Sequence, residues 1–124
     1  MGKKSISNQA VNFILTLENK DLRDLNAEEV AKRIGVKTTN LSRNFKIDQK
    51  ISLTDFIIRE KIYRAIFLLE KNHDLSIEEL SNELGFRDVN DFEMTFRSII
   101  AIEPEKYRGL RKTATNQEKG CLQL

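Results

Sequence analysis

Apolar residues recur at helical spacing along most of this chain, and one stretch of the pattern occurs twice. The segment from Leu25 to Val36 returns fifty residues later as Leu75 to Phe86. Each copy opens on a capping residue with Glu three positions on (Asn26 and Glu29, Ser76 and Glu79), a pairing that satisfies free N–H groups at a helix start. Val30 and Ile34, then Leu80 and Leu84, stand one helical turn apart. Gly35 and Gly85 follow directly, where a chain leaving a helix takes positive φ without steric cost. A second short helix comes next, carrying Leu41 and Phe45 in copy one and Phe92 and Phe96 in copy two. Helix, glycine turn, helix is the plan of a helix-turn-helix, whose second helix can enter a DNA major groove. Its duplication implies a reader of two grooves.

The periodicity predicts about seven helices and an all-α fold: two homeodomain-like helix-turn-helix subdomains joined by a long central helix. The first helix is expected from Ile6 to Asn19, with Val11, Ile14, Leu15 and Leu17 available for packing. Copy one supplies helices over Ala27–Ile34 and Thr38–Lys46. Ser52-Leu53-Thr54-Asp55 reads as a helix start, and the helical pattern runs from there to about Leu69. Its Phe56, Ile57, Ile62, Ala65, Phe67 and Leu68 make it too apolar for a solvent-crossing linker, so its stripe is read as core for both subdomains. Asn72-His73-Asp74 breaks the pattern. Copy two gives helices over Ile77–Leu84 and Val89–Ile100, and Pro104 opens a last helix to about Lys112. The expected boundaries are 1–51 for the first subdomain, 52–70 for the connecting helix, 71–112 for the second subdomain and 113–124 for a disordered tail without apolar periodicity.

Composition narrows the function classes. At 124 residues the chain is one domain or two subdomains sharing an element. One Pro and five Gly favour uninterrupted helices. The net charge of +2 is a weak basic signal, smaller than many nucleic-acid binders show. The single cysteine, Cys121, excludes an intramolecular disulfide framework and fits a reducing cytoplasm. The N-terminus leads into polar residues rather than a signal core, and no stretch approaches the ~18–20 apolar residues of a membrane span. His73 has no Cys, His or second-carboxylate cluster around it, so no metal site is expected. There is neither a nucleophile-and-base arrangement nor a Gly-rich phosphate loop, and hence no enzyme or cofactor is expected. Cys121-Leu122-Gln123-Leu124 matches a prenylation box in form only, since no polybasic run precedes it.

Several pieces in order carry a stronger signal: Leu41-Ser42-Arg43-Asn44-Phe45-Lys46, the Ala65-to-Leu69 end of the central helix, Gly85-Phe86, Phe92 with Phe96-Arg97, and Pro104-Glu105-Lys106-Tyr107-Arg108. On these the chain resembles the AraC/XylS type of bacterial transcription regulator, specifically its DNA-binding domain of two helix-turn-helix units joined by a long helix. The resemblance covers roughly Leu25 to Arg111, about seven tenths of the chain. It implies a cytoplasmic, nucleoid-associated regulator, an activator that touches double-stranded promoter DNA and RNA polymerase. Family members of this size without a sensory domain look like stand-alone stress and multidrug-resistance activators. The departures are specific. Lys61 stands for a usual Arg in the connecting helix, and Lys50 and Ala101 stand at usual Gly positions after each recognition helix. Lys37 replaces a frequent Ser, and Asn90-Asp91 replaces a common Ser-Tyr.

Geometry assigns the expected DNA contacts. With Leu41 and Phe45 inward, the opposite face carries Thr39, Ser42, Arg43 and Lys46. Arg43 can donate two parallel hydrogen bonds to guanine O6 and N7, and Thr39 can offer a methyl to thymine or a hydroxyl to a base edge. Lys46 and Lys37 are read as phosphate contacts. With Phe92 and Phe96 inward, copy two presents Val89, Asn90, Glu93, Met94 and Arg97. Asn90 can pair with adenine, Glu93 can accept from cytosine N4, and Met94 offers apolar contact alone. Arg97 joins the phosphate set. Asp88 and Asp91 match a cap and its partner at the helix start.

Charge separates the copies. From Lys32 to Lys50 six basic residues face one acidic residue, a local +5; from Glu83 to Arg97 two basic residues face four acidic ones, a local −2. Phosphate attraction is the sequence-independent part of affinity, so copy one is expected to dominate. A monomer can in principle cover two successive grooves: eighteen residues of connecting helix give about 27 Å, compatible with packed bodies at each end and ~34 Å between grooves. Bending the DNA to admit both helices costs roughly 1–6 kcal/mol, which leaves partial insertion of copy two open. Two other classes stay open. One is a DNA-binding fragment of a longer ligand-sensing regulator, against which Met1 directly before the first helix favours a complete protein. The other is a protein-binding adaptor that kept the fold with weak DNA affinity.

Overall fold

The computed structural model describes residues 5–71 and 74–110, and these contain eight helices and no strand. They are α1 (Ile6–Leu15), α2 (Asn19–Arg23), α3 (Ala27–Ile34), α4 (Thr38–Gln49), α5 (Leu53–Lys71), α6 (Ile77–Glu83), α7 (Val89–Ile100) and α8 over 104–110. His73, Cys121, the expected end of the last helix at Lys112 and the expected tail lie outside the described residues. The chain divides into two compact units, Met1–Lys61 and Ile62–Leu124, with the division inside α5.

The first unit corrects the reading of its N-terminal helix. The expected helix from Ile6 to Asn19 ends at Leu15, and a separate short helix, α2, follows it. Ser5 caps α1 by accepting the Asn8 N–H at 3.1 Å. At the other end the Thr16 hydroxyl donates to the Phe13 carbonyl at 3.0 Å, closing the helix where the sequence has neither Gly nor Pro. Leu22, fully buried, fastens α2 into the core. Leu15, expected in the packing face, is 49% exposed; Ala10 and Ile14 are the buried apolar residues of that helix. They join Leu22, Val30, Ala31, Leu41, Phe45, Leu53 and Ile57 in one core.

The second unit has its own core of Ile62, Ala65, Leu69, Ile77, Leu80, Leu84, Phe92 and Phe96. The first half of α5 therefore serves one core through Leu53 and Ile57, and its second half serves the other through Ile62, Ala65 and Leu69. Phe67 departs from the expected stripe. It is 59% exposed, and the Lys71 ammonium lies over its ring at 5.2 Å.

Two buried cations tie down main-chain carbonyls. Lys61, 9% exposed, donates from Nζ to the Arg23 carbonyl at 3.0 Å and so closes the end of α2. Arg108 donates to the Leu75 carbonyl at 2.6 Å, immediately before the Ser76 cap of α6, and also reaches Glu105 at 3.2 Å. Each contact fixes the approach to a helix-turn-helix.

Candidate nucleic-acid interface

The two motifs share most of their local bonds, and copy two adds the reciprocal side-chain bond of a full capping box. In copy one the Asn26 side chain accepts the Glu29 N–H at 2.8 Å; in copy two Ser76 and Glu79 satisfy each other's N–H groups at 3.0 and 2.9 Å. Gly35 and Gly85 take φ of 80° and 81°. The residue after each glycine sends its N–H back into the helix, Val36 to the Ala31 carbonyl at 2.9 Å and Phe86 to the Ser81 carbonyl at 3.0 Å. These paired bonds from glycine and its successor satisfy carbonyls that the helix end leaves free. The glycine turns read from the sequence are therefore the observed turns.

Beyond the turn the copies differ by one residue. Lys37 alone leads into α4 and makes no side-chain cap, whereas Arg87 and Asp88 lead into α7. Asp88 accepts the Asp91 N–H at 2.7 Å, and the Asp91 carboxylate accepts the Arg87 N–H at 3.3 Å, the capping pair expected there. From this point equivalent residues stand 51 apart, Leu41 with Phe92 and Phe45 with Phe96, all four fully buried. The correspondence reaches the next helices. Phe45 meets Phe56 edge-on with centroids 5.4 Å apart, and Phe96 meets Tyr107 in the same way at 5.9 Å. The repeat therefore runs past Phe86 to the helix that follows each motif.

With those aromatics inward, the opposite face of α4 presents Thr39, Arg43 and Lys46 exposed and Ser42 half-buried, beside exposed Lys37 at its start. Asn40 is exposed on α4 as well, and Ile47 is 60% exposed just past Lys46; the sequence reading assigned neither to the face. An exposed isoleucine two residues after Phe45 was legible as an apolar residue outside the inward stripe.

The corresponding positions of α7 are Asn90, Glu93, Met94 and Arg97. They come together along an open depression of about 370 Å³ that Glu103 completes. Asn90 and Arg97 are exposed, Met94 is 63% exposed and Glu93 is half-buried. The Asn90 amide lies 3.5 Å from the Met94 sulfur, a contact along one face of the helix. Arg97 pairs with Glu103 at 3.6 Å. Glu103 was not among the expected site residues. It lies six positions on, across the turn at Ala101, so helical spacing gives no signal for it.

A structure in which helix, tight glycine turn and helix occur twice along the chain, with the long α5 between them in sequence, defines the class: a double helix-turn-helix domain. A helix-turn-helix domain family matches residues 30–109, and the chain belongs to it, as a member of its AraC type. The chain is 30% identical over 105 residues to the Msm operon regulatory protein of Streptococcus mutans, covering 85% of this chain and 36% of that protein. It is 35% identical over 88 residues to the HTH-type transcriptional regulator YfiF of Bacillus subtilis, covering 71% of this chain and 27% of that one. Among solved structures it is similar to the C-terminal domain of AraT, a response regulator from Geobacillus stearothermophilus, with a TM-score of 0.75, 25% identity and 86% of each chain covered. The chain spans about a third of the length of the first of these curated relatives and about a quarter of the second. Among the described residues no helix is long and apolar enough to cross a membrane.

Proposed function

We propose that this chain binds double-stranded promoter DNA in a sequence-specific way as part of a transcription regulator, with α4 as the principal reading helix. The observation that carries this is the face of α4. Thr39, Ser42 and Arg43 stand opposite the buried Leu41 and Phe45, flanked by exposed Lys37 and Lys46. Arg43 supplies the base-specific donor pair and the two lysines supply phosphate contacts. In α7 the reading positions hold Asn90, Glu93 and Met94, suited to adenine, cytosine and a thymine methyl. The second motif adds sequence preference and little electrostatic affinity, because its neighbourhood is net acidic. Membership of the AraC type supports an activator that contacts RNA polymerase and binds DNA as a monomer at the bacterial nucleoid.

Selection of bound sequences from a random duplex pool gives the preferred site. Arg43→Ala is then compared on that site and on random DNA. A loss of about 1–3 kcal/mol confined to the preferred site, with relaxed discrimination at one base pair, supports base reading. Equal weakening on both would show that Arg43 only neutralises phosphate.

A further inference from the structure

The 51-residue register pairs Lys46 with Arg97 and Ser52 with Glu103. Both pairs stand at the same point, the last turn of the second motif helix and the residue that opens the next helix. Ser52 accepts the Asp55 N–H on its hydroxyl at 3.1 Å and the Phe56 N–H on its carbonyl at 2.9 Å. The Glu103 carbonyl accepts the Tyr107 N–H at 2.8 Å in the same way. The chemistry of the two openings differs. Ser52 is neutral, and Lys46 shows no side-chain partner among the described residues. Glu103 places a carboxylate 3.6 Å from the Arg97 guanidinium, and with Glu93 both border the depression on α7. The intervening turn is held by Ala101, whose N–H bonds the Arg97 carbonyl at 2.8 Å.

We infer that Glu103 is an intramolecular substitute for phosphate: it occupies Arg97, the one basic residue of α7, and thereby limits the electrostatic contribution of the second motif to DNA binding. The inference rests on the DNA-binding reading above. The two side chains are 64% and 58% exposed, so the pair is weak and a backbone phosphate can displace it. It damps affinity without blocking the groove. A cation already neutralised by its own chain also displaces fewer counterions from DNA, which makes the salt dependence shallower.

Glu103→Ser installs the residue that the other half of the chain uses, and serine is a good helix-opening residue, so folding is retained. On a random duplex at low salt this variant should bind about two- to fivefold more tightly. The slope of log affinity against log salt should steepen by about one. Adding Arg97→Ala should abolish both gains, returning affinity to about that of the unmodified protein, whereas Arg97→Ala alone leaves the Glu103 carboxylate uncompensated near phosphate and should weaken binding. Unchanged affinity and slope in Glu103→Ser would overturn the inference, and so would a gain that survives Arg97→Ala, since that gain would come from repulsion of the carboxylate alone. If the Arg43→Ala effect on the preferred site is present while Glu103→Ser is silent, only this inference falls. If the unmodified protein binds no duplex, the DNA-binding reading falls with it.

Discussion

Lys50 and Ala101 hold the same place in the two halves, each ending the second helix of its motif in the left-handed region, at φ 66° and 79°. Each sends its N–H back four residues, Lys50 to the Lys46 carbonyl at 3.0 Å and Ala101 to the Arg97 carbonyl at 2.8 Å. These are the positions where the family resemblance led to an expectation of glycine. The left-handed conformation is kept without the residue that adopts it freely. An L-residue there costs roughly 1–2 kcal/mol, partly offset because glycine gives the unfolded chain more freedom.

Ala101→Gly should therefore stabilise the protein by up to about 1 kcal/mol, read as a higher denaturant midpoint at unchanged slope. Lys50→Gly should act in the same direction while also removing one charge beside α4. A lower midpoint for Ala101→Gly would show that its backbone is not held in the strained region.

Lys61 allows a sharper test of the first unit. Its ammonium is buried and bonds the carbonyl that ends α2. Lys61→Met keeps the length of the stem but leaves that carbonyl without this donor, and should cost about 1–3 kcal/mol. Lys61→Arg, which restores a donor of similar reach, should recover most of the loss in the same unfolding measurement. Equal stability of Met and Lys variants would show that the bond contributes nothing net.

The elements that were legible in the sequence are those specified by local chemistry. The Asn26 and Ser76 caps, the glycine turns at Gly35 and Gly85 and the inward Leu41, Phe45, Phe92 and Phe96 each act within one or two turns of chain. The break at Thr16 carries no signal in the sequence, because a threonine hydroxyl bonding the Phe13 carbonyl ends the helix and threonine is no punctuation mark. Phe67 and Leu15 are exposed against expectation, because apolar periodicity does not tell which apolar residue has a neighbour to pack against. Arg97 was assigned to phosphate without its partner, since the pairing with Glu103 depends on the turn geometry at Ala101. The outward faces of α4 and α7 were legible as faces; the pairing of Arg97 with Glu103 was not.

Lys46 tests the phosphate assignment on the first motif. It is exposed near the end of α4, on the side opposite the core. Lys46→Ala should lower affinity on every sequence and flatten the slope of log affinity against log salt by about one unit. Its loss should leave the ranking of sites intact, unlike that of Arg43. An unchanged slope would remove Lys46 from the phosphate contacts.

The contrast between the halves gives the last prediction. At equivalent positions α4 offers Ser42 and Arg43 where α7 offers Glu93 and Met94, and only α4 combines a long donor with exposed lysines at its ends. A carboxylate near phosphates is repelled unless it accepts from a cytosine N4 group, so Glu93 favours few sequences and disfavours the rest. Glu93→Gln should therefore tighten binding to random duplex modestly, whereas Ser42→Ala combined with Arg43→Ala should nearly abolish binding at the preferred site. A chemical footprint should show one major groove protected strongly and a second weakly. Equal protection of both grooves, together with weaker binding of Glu93→Gln at a site bearing cytosine there, would make α7 a full reader and refute the asymmetry.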